Sequence, residues 1–143
     1  MHYSYPFTPK TPYLTTDGII EVYDAHDILQ GIVLIERKYE PTGFALPGGF
    51  VDVGERVEDA LVREMKEETT LDVTITSLLG IFSDPKRDPR FHTASAVYVA
   101  KATGVPQGED DAKEAHICPL DAIPFKKLVF DHAAILKYYL QTR

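Results

Sequence analysis

Between residues 57 and 71 the chain reads VEDALVREMKEETTL, and this stretch sets two demands that are hard to meet together. Val57, Ala60, Leu61 and Met65 recur at helical spacing and form an apolar stripe about 140° wide, so a helix over 57–69 must pack against a core. Glu64 and Glu68 project into the middle of that stripe and Glu67 lies on its edge, by the same period of about 3.6 residues per turn. A carboxylate pair at i,i+4 costs a few tenths of a kcal/mol even in water. Half-buried and unpaired, the charges would cost several kcal/mol more, so something positive is expected between them. A merely solvated acidic face, with Arg63 paired to Glu67, would leave the stripe positions of Glu64 and Glu68 without a reason.

The rest of the composition narrows the partners. A chain of 143 residues with 44% apolar content is the size of one domain with a real core. Its formal net charge of −7 argues against a general nucleic-acid or membrane-surface binder, both of which need a basic face. An anionic substrate would have to be held by local cations. The single cysteine, Cys118, excludes an internal disulfide and a cysteine-based zinc set, which fits a reducing, cytoplasmic setting. No signal peptide or membrane span is evident in the pattern.

Along the chain, residues 1–12 hold three prolines and no periodicity, and read as an extended arm ahead of a domain over 13–143. Strand-like runs are expected at 15–22, 31–37 and 44–46, the last entering a Pro47-Gly48-Gly49 turn. After the helix come two further strand-like runs, LDVTITSLLGIFS and HTASAVYVAKA, separated by the loop SDPKRDPR, too charged for any core. The strand-like HICPL follows, and a helix over 131–141, with Ala134, Ile135, Tyr138 and Tyr139 on one face, closes the chain. Mixed strands with an inserted helix and a terminal one suggest an α/β sandwich.

From Gly49 the spacing is glycine, five residues, Glu55, seven residues, then Arg63-Glu64 and Glu67-Glu68. This stretch resembles the Nudix box, the signature of hydrolases acting on nucleoside diphosphates linked to another group. Outside it, TTDGIIE, IVLIERK, LPGGFVDVGE, SDPKRDPR, GEDDA and FDH look like the small ADP-ribose pyrophosphatases of that superfamily. The resemblance implies a Nudix-type α/β/α sandwich with a mixed sheet, usually a homodimer. It also implies hydrolysis of ADP-ribose to AMP and ribose 5-phosphate.

By the same resemblance Glu64, Glu67 and Glu68 are expected to bind Mg²⁺, with Mn²⁺ a possible substitute and the Gly48 carbonyl a further ligand. All-oxygen ligation suits these hard cations. Arg63 is expected to pair with Glu55 or Glu67 and hold a carboxylate in place. A general base is needed, and the candidates are Glu67, Glu68, Glu109, Asp110 and Asp111. Arg37, Arg87 and Arg90 are candidates for phosphate or ribose contacts, the Gly49 backbone for phosphate, and Phe50 for stacking on adenine. Blander readings fit Asp131 as a helix N-cap, His92 as a loop hydrogen-bonder and Cys118 as a core residue. One position departs from the box pattern: Thr70 stands where glycine is usual, and should cost the helix end about 1 kcal/mol or redirect its exit.

Two rivals remain. The chemistry could act on a dinucleoside polyphosphate, another nucleotide sugar or an oxidised nucleoside triphosphate. The domain could instead sense ADP-ribose without cleaving it, although such a module would tolerate losing glutamates that are all present here, and no residues remain for a winged helix.

Overall fold

Strand β1, Tyr13–Tyr23, is buried along most of its length because its two faces pack on different cores. Ile19 joins one cluster with Leu34, Val97, Ile135, Leu136 and Tyr139, while Ile20 and Val22 join another with Val33, Leu61, Met65 and Tyr98. A strand apolar on both sides sits at the centre of a sheet with helices on each face. The computed structural model, which describes residues 4–107 and 113–143, has that architecture. It is a seven-stranded sheet ordered β3-β2-β1-β6-β5, with β4 paired to β1 and β7 to β2. The remaining strands are β2 Leu29–Arg37, β3 Gly43–Ala45, β4 Gly48–Phe50, β5 Thr74–Phe82, β6 Thr93–Thr103 and β7 Lys113–Cys118. The β1–β6 pair is parallel and the other pairs are antiparallel, so the sheet is mixed. Helix α1, Val57–Thr69, covers one face, and α2, His132–Thr142, covers the other. The α/β/α sandwich expected from the sequence is the observed fold.

Residues 4–12 are exposed and contain neither helix nor strand. Among the described residues no helix is long and apolar enough to cross a membrane.

Four local expectations need correction. Gly48 and Gly49 do not make an open turn: with Phe50 they form β4, paired antiparallel to Thr15–Asp17 of β1. A Cβ on Gly48 would run into Thr16 and Asp17, so only glycine lets the strands approach this closely. The loop over 83–90 does enter the interior, since Arg87 and Asp88 are both buried; each is paired, which is what makes charge tolerable there. The buried face of α2 runs through His132, Ile135, Leu136 and Tyr139, leaving Ala134 and Tyr138 exposed. A polar first residue hid that face from an apolar count. Cys118 is half-buried at the margin of the α2-side core and not within it.

Thr70 keeps the helix exit that glycine would give. It adopts the left-handed conformation with φ 65°, and its N–H closes the last turn on the Lys66 carbonyl at 3.0 Å. The threonine therefore bears the strain of the αL cap, and the geometry is not altered.

Candidate active site

Helix α1 lays its glutamates against the glycine strand β4. The Glu64 carboxylate lies so close to Gly49 that a Cβ there would come within 2.5 Å of Oε1. One turn on, Glu68 accepts a hydrogen bond from the Gly48 N–H at 3.1 Å. The ladder pairs Gly18 with Pro47 and Leu14 with Val51, so the N–H and C=O of Gly48 point away from β1, toward the helix. Two carboxylates and one carbonyl thus converge on the same side of β4.

Arg63 organises this group. Its Nε and Nη2 fork onto Glu55 at 2.7 and 2.9 Å, and its Nη1 reaches Glu64 at 3.1 Å and Glu67 at 3.2 Å. It pairs with both partners expected of it and with Glu64 as well, and it also donates to the Phe50 carbonyl at 3.2 Å. The fork holds the Glu55 carboxyl down at about 2, helped by the Asp52 N–H, while the same bonds push the Arg63 guanidinium up. Glu64, with 13% of its side chain exposed, is pushed the other way: burial and the nearby Glu68 charge raise its proton affinity against the pull of Arg63. Glu67 is 56% exposed and faces solvent.

The donor set fits a divalent cation. Glu55, Glu64 and Glu67 outnumber the one arginine they share, all potential ligands are hard oxygens, and the missing Cβ at Gly49 opens the wall beside Glu64. Arg63 draws Glu64 and Glu67 to itself. Among the described residues, the three candidate ligand atoms that lie within 4.8 Å of one another belong to Glu36, Glu114 and His116, on β2 and β7. That exposed group already holds Lys38 at 2.7 Å and is not contiguous with the box.

A cavity opens beside β4, reaching from Glu68, Gly48 and Gly49 down to Asp17, Arg87 and His132. Its floor is a buried polar network that the sequence reading missed. Arg87, with 4% of its side chain exposed, forks onto Asp131 at 2.9 and 2.8 Å and donates to Thr93 at 2.6 Å. Its placement in the interior and these bonds make it a structural cation in the floor. Asp131 accordingly does not cap α2 with its side chain. Asp17 accepts a short hydrogen bond from Ser95 and lies 3.9 Å from both Arg87 Nη2 and His132 Nε2. Burial lifts the Asp17 carboxyl to about 6, offset in part by Ser95 and Arg87. Burial also drives His132 down to about 4. The available signal in the sequence was the position of Asp17, a charged residue in the middle of a strand whose second half carries Ile19, Ile20 and Val22.

The rim carries two of the expected arginines. Arg37 and Arg90 lie 5.5 and 5.2 Å from the centre of the Phe130 ring, and Arg90 also forks onto Asp88 at 3.0 and 2.9 Å. Burial and the neighbouring Arg90 charge lower the Arg37 proton affinity. Its Nε donates to the Pro41 carbonyl at 2.8 Å, and its terminal nitrogens hold no hydrogen bond to the described residues. Phe50 is half-exposed at the cavity wall, edge-on to Tyr13 at 5.9 Å and tilted on Phe91 at 5.8 Å. His92 bonds the Ser83 carbonyl at 2.9 Å, as a loop residue would. Glu109, Asp110 and Asp111 lie outside the described residues.

The chain is similar to known proteins over most of its length. A family model of the NUDIX domain matches residues 12–139. An ADP-ribose pyrophosphatase of Methanocaldococcus jannaschii is 48% identical over 136 residues, covering 91% of this chain and 74% of that protein. Among solved structures, a MutT/nudix family protein from Enterococcus faecalis superposes with a TM-score of 0.78 at 30% identity, covering 97% of this chain and 65% of its own. The NUDIX domain of Shewanella oneidensis NrtR, solved with ADP ribose, has the same fold with a TM-score of 0.75 at 22% identity, covering 96% and 94%.

Proposed function

The chain belongs to the Nudix family, and from that premise we propose that it hydrolyses the pyrophosphate bond of ADP-ribose to give AMP and ribose 5-phosphate. The observation that carries this reading is one cavity that runs from the Glu68 carboxylate and the glycine strand β4 to a polar floor, with the Glu64 carboxylate packed against Gly49 beside it. A substrate with a charged diphosphate joined to a nucleoside matches that arrangement. The 48% identical Methanocaldococcus protein carries the same activity in its name.

Nudix hydrolases use divalent metal ions, and we take Mg²⁺ as the ion here, with Mn²⁺ able to replace it. Bound by Glu64, Glu67, Glu68 and the Gly48 carbonyl, it supplies neutralisation of the diphosphate and acidification of a water molecule. The chain's own groups do the positioning. Glu55 anchors the Arg63 fork, which holds Glu64 against β4 and Glu67 at the solvent side of the group. The Gly48 N–H fixes the orientation of Glu68. The Arg37 and Arg90 guanidiniums at the rim hold phosphate or ribose oxygens. The attacking water loses its proton to Glu67 or Glu68, or to a carboxylate of residues 109–111. We further propose that residues 13–143 act as one domain, that the working unit is a homodimer and that it operates in the cytoplasm.

The test is AMP release from ADP-ribose with and without Mg²⁺, run beside dinucleoside polyphosphates, nucleotide sugars and oxidised nucleoside triphosphates. The expected result is metal-dependent AMP release, fastest with ADP-ribose. No turnover of millimolar ADP-ribose with either ion would reject the substrate assignment.

A further inference from the structure

Two polar atoms at the floor of the cavity have no hydrogen-bond partner among the described residues. Among the described residues no sealed side-chain nitrogen or oxygen lacks a hydrogen bond. Asp17 uses Oδ2 to accept from Ser95, and Oδ1 accepts none, so Oδ1 must open on the cavity. His132 uses Nδ1 to accept the Leu46 N–H at 2.9 Å. A ring whose Nδ1 accepts is neutral and carries its one proton on Nε2, and that N–H also ends without a partner. An acceptor and a donor therefore stand side by side on a buried floor.

The walls above them are mixed. Ile35 and Leu46 give one apolar side, and the Phe130 ring lines another with the Arg37 and Arg90 guanidiniums 5.5 and 5.2 Å from its centre. Phe130 holds a left-handed φ of 58°, a conformation that costs a bulky residue about 1–2 kcal/mol. Strain kept at a cavity wall points to a ring whose position matters there.

We propose that this floor reads the adenine edge of the substrate: Asp17 Oδ1 accepts from the exocyclic amine, His132 Nε2 donates to the adjacent ring nitrogen, and Ile35 and Leu46 pack beside the base. Adenine presents a donor next to an acceptor on one edge, and hypoxanthine presents the reverse order. A sugar diol could satisfy both atoms but would leave the apolar Ile35 and Leu46 side uncovered. The assignment rests on the proposed substrate, and it moves the base contact from Phe50, at the mouth, to the floor. Selectivity arises because a base of the wrong pattern leaves buried polar groups unpaired.

The experiment measures dissociation constants by calorimetry for AMP, IMP and 1,N6-etheno-AMP on the unaltered protein, with no turnover involved. AMP is expected to bind at least tenfold more tightly than the other two, because IMP inverts the edge and the etheno bridge blocks it. In Asp17→Asn, whose amide can turn either way, the AMP-to-IMP ratio is expected to fall toward one. Equal affinities for the three ligands, or no measurable binding of AMP, would overturn the proposal. A preference for AMP without cleavage of ADP-ribose would sustain this site and reject the substrate reading. Cleavage of ADP-ribose without that preference would do the reverse.

Discussion

Strand β4 has acidic side chains on both of its sides, and the two sides treat them in opposite ways. Toward α1, Glu55, Glu64 and Glu67 share one half-exposed arginine, Arg63, while Glu68 accepts from the Gly48 N–H beside them. Toward the cavity, Asp131 and Arg87 form a closed bidentate pair, while burial favours the uncharged forms of Asp17 and His132. The wet side can hold surplus negative charge because solvent screens it and a cation can relieve it. The dry side must settle its own charges. Function and stability should therefore separate across one strand.

The largest expected effect tests the wet side. Glu68→Gln removes a charge from the proposed metal group and should lower kcat by about 10³-fold with little change in Tm. A variant that turned over normally would remove Glu68 from the chemistry.

Next comes the contrast between two arginines. Arg87→Ala strands the buried Asp131 carboxylate and should destabilise the fold by about 3–5 kcal/mol, seen in denaturant unfolding. Arg63→Ala should instead slow catalysis while unfolding at nearly the wild-type denaturant concentration. Similar unfolding midpoints for the two would break the distinction between the sides.

A pH series sharpens the same point. His132 falls to about 4 in the fold from an ordinary 6.5, so unfolding takes up a proton between those values and stability drops as pH falls through that window. Asp17 rises to about 6 from 3.8, so the folded state binds the extra proton and stability grows as pH falls from about 6. The two slopes oppose each other between about pH 4 and pH 6. Wild-type Tm should be nearly flat there with respect to these groups, whereas Asp17→Asn should lose up to about 3 kcal/mol across it. Parallel Tm curves for the two proteins would refute the compensation. Below that window Glu55, held down to about 2, adds a loss as pH falls from 4.5.

Two smaller effects complete the series. Gly49→Ala puts a methyl into the Glu64 carboxylate and should raise the Mg²⁺ concentration for half-maximal activity roughly tenfold, a shift of about 1.4 kcal/mol. Thr70→Gly relieves the left-handed threonine and should raise stability by about 1 kcal/mol without touching activity.

The two sides also differed in what the sequence disclosed. The helix side was legible because its residues are close in the chain, and the period of α1 alone places Glu64 and Glu68 on the packed face. The strand-like runs and the α/β sandwich followed from equally local signals, runs of β-branched residues broken by Pro and Gly. The floor was illegible because it is assembled from β1, β6, the 83–90 loop and the start of α2, with Arg87 and Asp131 44 positions apart. A loop rich in charge and proline looks like surface until its arginine finds an aspartate in another element. His132 was missed for the same reason: its partner is the Leu46 amide, 86 positions away.

Gly48 and Gly49 leave only a backbone's thickness between Asp17 on one side and Glu64 and Glu68 on the other. Such a wall insulates poorly. A cation held at the glutamates would lie a single peptide plane from the Asp17 carboxylate that accepts from the base. Metal and nucleoside would then bind as thermodynamically linked events, communicating without any movement of the chain.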